Sequence, residues 1–218
     1  MRVILFGGSG MVGHGILREC LLDPEVESVL AIGRSSTGFN HAKLYEQLRK
    51  NLFDLSDIEL DLQGYDACFY CLGVSSFGMT EEQYRRITFE LTLTIGKTLA
   101  RLNPLMTFIY VSGAGTDSSE SGSSMWARIK GKTENALLQL PFQAYMFRPA
   151  VIVPLHGVKS RTRMYRWFYA ATTPVLPWLF ARFPRYVTTT EQMGRAMIKV
   201  ARNNTTKRVL ESIDINLL

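Results

Sequence analysis

Two periods of apolar spacing alternate along this chain, and each change of period marks an element. Val3-Ile4-Leu5-Phe6 is an unbroken apolar run, the pattern of a strand buried on both faces, and it stops at Gly7-Gly8-Ser9-Gly10. From there Met11, Val12, Ile16, Leu17, Leu21 and Leu22 recur at helical spacing, and Asp23-Pro24 ends the predicted helix. Ser28 to Gly33 reads as a second strand. Thr37 to Lys50 is polar and predicts a loop with a short helix, and Asn51 to Leu55 reads as a third strand with its exit. Tyr65 to Gly73 is the fourth strand, Glu81 to Leu102 a helix that stops before Asn103-Pro104, and Leu105 to Ser112 the fifth strand. Gly113 to Ser124, rich in Gly, Ser, Asp and Thr, is a loop whose last serines can cap a helix over Met125 to Leu140. Gln143 to Arg148 is the sixth strand, closed by Pro149.

Strands alternating with helices at these lengths imply an α/β chain: a parallel sheet covered by helices on both faces. The last third is different. Lys159 to Arg185 mixes five arginines with aromatic residues, and Pro174 and Pro177 divide it into short helical pieces. Such a stretch suits a substrate pocket, a membrane surface, a dimer face or a core-packing helix pair with charged edges. Thr188-Thr189-Thr190-Glu191 marks another helix start, Gln192 to Arg202 continues it, and Val209 to Leu217 reads as extended.

Chemistry enters at the first turn. Gly7, Gly10 and Gly13 stand between the first strand and the first helix, where Gly7 permits the turn and Gly10 lets a pyrophosphate approach the backbone. Gly13 lets the helix pack on the strand. The amides of Ser9, Met11 and Val12 and the positive end of the helix favour negative charge, so the turn predicts dinucleotide binding. At the tip of the second strand, where NAD-binding chains place an acidic residue, stand Arg34 and the hydroxyl residues Ser35 and Ser36. A guanidinium there can grip a 2′-phosphate, which favours NADP(H) over NAD(H).

Composition narrows the classes further. The 218 residues suit one domain with a single core, and 46% hydrophobic with 20% charged residues is ordinary globular usage. The N-terminal apolar run is too short for a secretory leader, and the later apolar region is too broken by prolines and arginines for a membrane span. Three cysteines predict a reducing, cytoplasmic setting without structural disulfides, and Cys68 and Cys71 would point to opposite faces of one strand. The net charge of +6 suits a phosphorylated cofactor, an anionic substrate or a membrane surface, and nucleic acid is not expected because no recognition motif appears. No metal site is expected either, since His14, His41 and His156 are scattered. Gly7-Gly8-Ser9-Gly10-Met11 also fails the G-x-S-x-G nucleophile elbow at its fifth position.

The glycine turn, Arg34, Cys71-Leu72-Gly73, Tyr110-Val111-Ser112 and Phe147-Arg148-Pro149-Ala150-Val151-Ile152 together resemble the short-chain dehydrogenase/reductase superfamily. The chain is most similar to its atypical branch, near the Tat-interacting-protein-like oxidoreductases and the epimerase/dehydratase-like proteins. The resemblance implies one doubly wound Rossmann domain over 1–218, with a small C-terminal helical substrate region at 155–187 and 205–218. It also implies adenine contacts near Asp54-Leu55 and a cofactor path along Leu72-Gly73 and Pro149-Ala150-Val151. The family's catalytic pair is Tyr-x-x-x-Lys with a nearby serine. Its lysine matches Lys130 and its serine lies nearest Ser112, but the tyrosine position holds Trp126. Indole does not ionise usefully, so the proton-transfer half of the signature is damaged while Lys130 can still hold the nicotinamide ribose. Tyr84, Tyr110, Tyr165 and Tyr169 are the alternative acids. Two functions follow: an NADP-dependent oxidoreductase or epimerase/dehydratase-like enzyme on a small molecule, or a catalytically silent redox sensor or scaffold. Partners could include a second copy of the chain and a membrane surface met through 161–185.

Overall fold

The computed structural model describes residues 1–156 and 185–218. Seven parallel strands form one sheet in the order β3-β2-β1-β4-β5-β6-β9. They are β1 (Arg2–Phe6), β2 (Ser28–Gly33), β3 (Leu44–Leu48), β4 (Ala67–Tyr70), β5 (Thr107–Val111), β6 (Gln143–Arg148) and β9 (Val209–Glu211). Two short strands, β7 (Val151–Val153) and β8 (Val187–Thr189), make a second parallel pair in which Val151 faces Val187 and Val153 faces Thr189. The helices are α1 (Met11–Leu22), α2 (Glu81–Arg85), α3 (Leu91–Leu102), α4 (Met125–Leu138), α5 (Thr190–Asn203) and α6 (Ser212–Leu217). The strand order reverses between β1 and β4, as in a doubly wound Rossmann sheet, and the ligand crevice of such sheets lies at that switch, beyond the carboxyl ends of the strands.

Alternation along each strand builds the three layers. Ile4, Phe6, Cys68, Tyr70, Phe108 and Met146 point to one face, where Ile95 and Leu99 of α3 and Leu137 of α4 cover them. Val3, Leu5, Phe69, Ile109, Tyr145 and Phe147 point to the other, under Ile16 and Leu17 of α1, Met193 and Met197 of α5 and Ile215 of α6. Each large side chain buried this way contributes about 1.5–3 kcal/mol relative to exposure. Cys68 and Cys71 pack on opposite faces, and both are free thiols.

Three expectations need correction. The third strand is Leu44–Leu48, inside the stretch expected to be loop and short helix, and Asn51–Leu55 is irregular. β3 is an edge strand with one neighbour, β2, so Tyr45 and Leu48 stay exposed and no continuous apolar face marks it. Leu52 and Leu55 are instead loop residues plugged into the core. The C-terminus is not extended throughout, because β9 gives way to α6, whose start is fixed by a capping box between Glu211 and Asp214. The helix from Glu81 to Leu102 is broken by a π turn, Arg86–Glu90, between α2 and α3. The helix start near Thr188–Glu191 falls at Thr190, with the Thr189 hydroxyl accepting from the Gln192 amide at 3.0 Å. The basic-aromatic stretch, with Tyr165 and Tyr169 and the expected dimer or membrane contact, lies almost wholly outside the described residues, as does most of 155–187. Among the described residues no helix is long and apolar enough to cross a membrane.

Candidate dinucleotide site

β1 ends at Phe6, and Gly7 reverses the chain with φ +85°, a conformation that L side chains rarely adopt. A Cβ at Gly7 would lie 2.8 Å from the carbonyl of Cys71 and 2.9 Å from the Leu72 amide, so the turn rests directly on the exit of β4. The Gly10 amide donates to the Gly7 carbonyl at 2.9 Å, and Gly10 is the N-cap of α1. No side chain caps this helix, and its first turn holds no acidic residue. The amides of Met11, Val12 and Gly13 therefore present the positive end of α1 at the switch point. Gly13 closes the arrangement from the helix side, since a Cβ there would sit 2.2 Å from the Gly7 carbonyl oxygen.

Beyond β2, Arg34 is exposed and forms no ion pair with any described residue, while Ser35 is half-buried. A small recess beside it is lined by Gly8, Ser9, Gly33, Ser35, Thr37 and Glu46. Glu46 of β3 fixes this loop, accepting from the Thr37 amide at 2.7 Å and from the Ser36 hydroxyl at 2.8 Å. Burial pushes its carboxyl upward, but these donors outweigh that and hold it below the ordinary value. Glu46 escaped the sequence reading because β3 was not recognised; a glutamate two positions into a correctly placed strand would have faced the same recess. Asp54 is exposed and accepts from the Ser56 amide and hydroxyl at 3.0 and 2.7 Å, whereas the Leu55 side chain is committed to the core.

At the other end, Leu72 is partly buried and a Cβ on Gly73 would meet nothing within 4 Å. The exits of β5 and β6 are stapled together by the Ser112 amide on the Phe147 carbonyl and the Ala114 amide on the Pro149 carbonyl, each at 2.9 Å. Lys130 of α4 reaches this staple and donates from Nζ to the Ser112 carbonyl. Burial lowers its ammonium to about 8, against the opposing pull of Glu134. Ser112 is 6% exposed, and its hydroxyl donates inward to Glu134 rather than outward. Pro149 is buried, while Val151 is exposed and its amide donates to the Tyr186 carbonyl at 2.9 Å.

Trp126 is half-buried one turn before Lys130. Its ring covers Gly115, where a Cβ would lie 3.4 Å from Cη2. Tyr84 and Tyr110 are 2% exposed, and burial pushes both phenols up despite hydrogen bonds with Thr88 and Thr133. They are core residues and cannot stand in for the missing phenol. Glu19, His156 and Glu191 come within 4.8 Å of one another between α1 and α5. Arg18 and Arg195 already neutralise that pair of carboxylates, so the cluster is an ion-pair network.

The C-terminal edges of β1, β2, β4, β5 and β6 thus gather the glycine turn, Arg34, Ser35, Leu72, Gly73, Lys130 and Pro149 along one rim of the sheet. No protein-family model matches the chain. It is 27% identical to protein HTATIP2 of Rattus norvegicus over 155 residues, covering 69% of this chain and 62% of that protein. It is 26% identical to the mitochondrial protein FMP52 of Meyerozyma guilliermondii over 215 residues, 92% of this chain and 85% of that one. Among solved structures, the NAD+ complex of the Bordetella bronchiseptica enzyme WbmF matches with a TM-score of 0.70 at 16% identity, over 99% of this chain and 76% of that one. The UDP-N-acetylglucosamine 4-epimerase of Methanobrevibacter ruminantium M1 matches with a TM-score of 0.70 at 16% identity, over 96% and 75%. These structural likenesses speak for the fold.

Proposed function

We propose that this chain, which has a Rossmann fold and is 27% and 26% identical to HTATIP2 and FMP52, is an atypical short-chain dehydrogenase/reductase that binds NADP(H) and acts as an oxidoreductase or epimerase/dehydratase-like enzyme on a small molecule. The observation that carries this reading is the uncapped start of α1 behind the glycine turn, free of acidic residues. The turn from Gly7 to Gly13 would hold the pyrophosphate, Arg34 and Ser35 the 2′-phosphate, and the backbone at Asp54-Leu55 the adenine. Leu72-Gly73 and Pro149 to Val151 would border the path, and Lys130 would hold the nicotinamide ribose. When bound, the dinucleotide supplies or accepts a hydride. The chain's own contribution is positioning, and a proton held near neutrality at Lys130 Nζ. In this reading Ser112 serves through its carbonyl, which holds Lys130, because its hydroxyl is engaged by Glu134.

Titration of the purified protein with NADPH and NADH tests the cofactor, and equal affinities would remove the NADP part of the reading. A panel of carbonyl compounds and nucleotide sugars tests the activity, with steady NADPH oxidation as the supporting result. The pH dependence has a defined sign. An anionic ligand is held better by the protonated lysine, so NADPH affinity is expected to weaken as pH rises from 7 to 9 through the Lys130 value of about 8. Lys130→Met should flatten that dependence, and a wild-type affinity constant across this range would contradict it.

Trp126 favours a second reading, in which the chain binds the dinucleotide without turnover and reports its redox state to a partner. Trp126→Tyr separates the two. Turnover appearing in the variant, where wild type shows none, supports the silent form. Wild-type turnover that the substitution does not raise supports the enzyme.

A further inference from the structure

Behind Lys130 lies a buried ionic assembly that the dinucleotide itself would not touch. Glu134 follows Lys130 by one turn of α4 and is 1% exposed. It accepts from the Ser112 hydroxyl and from Arg148, whose Nε lies 3.0 and 3.1 Å from the two carboxylate oxygens and whose Nη2 also donates to it. Arg148 in turn donates to the Ser118 hydroxyl in the loop between β5 and α4. One carboxylate therefore ties together the exit of β5, the exit of β6 and the helix from which Lys130 projects. The Ser112 residue that donates its hydroxyl to Glu134 offers its carbonyl to the Lys130 ammonium.

Stability alone explains this assembly poorly. The desolvation cost of a buried ion pair can exceed its Coulombic gain, and well-packed apolar residues of similar volume are often at least as stable in such a place. What apolar residues could not supply is a charge aimed at Lys130. The ammonium feels Glu134 on its own helix, whereas Arg148 from β6 is surrounded by Glu134, by Glu211 at the end of β9 with an oxygen 3.9 Å from its Nη1, and by Asp117 in the β5–α4 loop. Glu134 attracts the ammonium, and Arg148 holds the same carboxylate in an ion pair. We propose that Glu134 and Arg148 are positioning residues that set both the place and the charge of Lys130, acting through Ser112. The proposal deepens the reading of Lys130 as the titrating group at the nicotinamide end, and it rests on that reading.

The test is the pH profile of Lys130 acetylation by acetic anhydride in the full-length, cofactor-free protein, read by mass spectrometry. Glu134→Gln removes the attracting charge with little change of shape, and is expected to move the midpoint for Lys130 down by about one pH unit. A merely structural role predicts the reverse: a loosened site would expose the ammonium and carry the midpoint up toward the ordinary lysine value of 10.5. A midpoint that rises or stays in place overturns the proposal. Arg148→Gln provides an independent arm should the first variant not fold. It leaves the Glu134 charge uncompensated, so the midpoint rises, and a fall or no movement overturns the proposal. No dinucleotide is present in either arm. Failure to bind NADPH would therefore defeat the cofactor reading and leave this result standing, and the converse holds as well.

Discussion

Gly13→Ala is expected to cut NADPH affinity at least 100-fold, with the variant still folded but melting at lower temperature. The added methyl would stand 2.2 Å from the Gly7 carbonyl oxygen and 2.7 Å from its carbon. Both are backbone atoms, so no side-chain rotation relieves the clash, and α1 must back away from the turn. Overpacking of this kind costs typically about 1–3 kcal/mol in stability. The effect on binding is larger because the first-turn amides and the Gly7–Gly10 bend move apart together, and a 100-fold loss corresponds to about 2.7 kcal/mol. Titration of the variant with NADPH, beside its thermal melt, checks both halves. Wild-type affinity in the folded variant would detach the glycine turn from dinucleotide binding.

Arg34→Ala is expected to erase most of the preference for NADPH over NADH and to leave NADH affinity nearly unchanged. A charge-assisted contact to a 2′-phosphate contributes on the order of 1.5–3 kcal/mol, or roughly 10- to 150-fold in the ratio of the two dissociation constants. The exposure of Arg34 places the result toward the lower end at physiological salt, where screening weakens surface charges. Glu46 sharpens the expectation. Its carboxylate lines the recess beside Ser35 and would repel a phosphate, but the Thr37 amide and the Ser36 hydroxyl occupy its oxygens. Arg34 is the cation expected to tip this balance toward the phosphate. A ratio unchanged by the substitution would remove it from the site.

What was legible in the sequence follows from how local each signal is. β2 and β6 were readable to the residue because strands buried on both faces leave continuous apolar runs between turn residues. The glycine turn was readable as a turn because its spacing between strand and helix is itself the geometry, as the positive φ of Gly7 and the close approach at Gly13 show, whereas Lys130 was singled out only by resemblance to a family signature. β3 was not, because an edge strand such as Leu44-Tyr45-Glu46-Gln47-Leu48 takes its place from the register with β2 rather than from an apolar period. Leu52 and Leu55 misled for the opposite reason, as apolar residues buried from a loop. The π turn leaves no mark in composition. Ser112 was placed correctly at the end of β5, yet the direction of its hydroxyl depends on a glutamate 22 residues away. Glu134 itself stood at helical spacing from Lys130, so its position was visible and its arginine partner was not.

The small β7–β8 pair has a consequence for how such a chain can be remodelled. Val151 beside Val187 and Val153 beside Thr189 clasp two stretches of chain that lie more than thirty residues apart in sequence. The clasp is braced from outside itself, by the Leu155 amide on the Thr190 hydroxyl at 3.1 Å and by the Asn216 side-chain amide on the Val187 carbonyl at 2.7 Å. Because the pair forms a sheet of its own, changes within it ask no change of register from the seven-stranded sheet. The clasp and the main sheet can thus vary independently of each other.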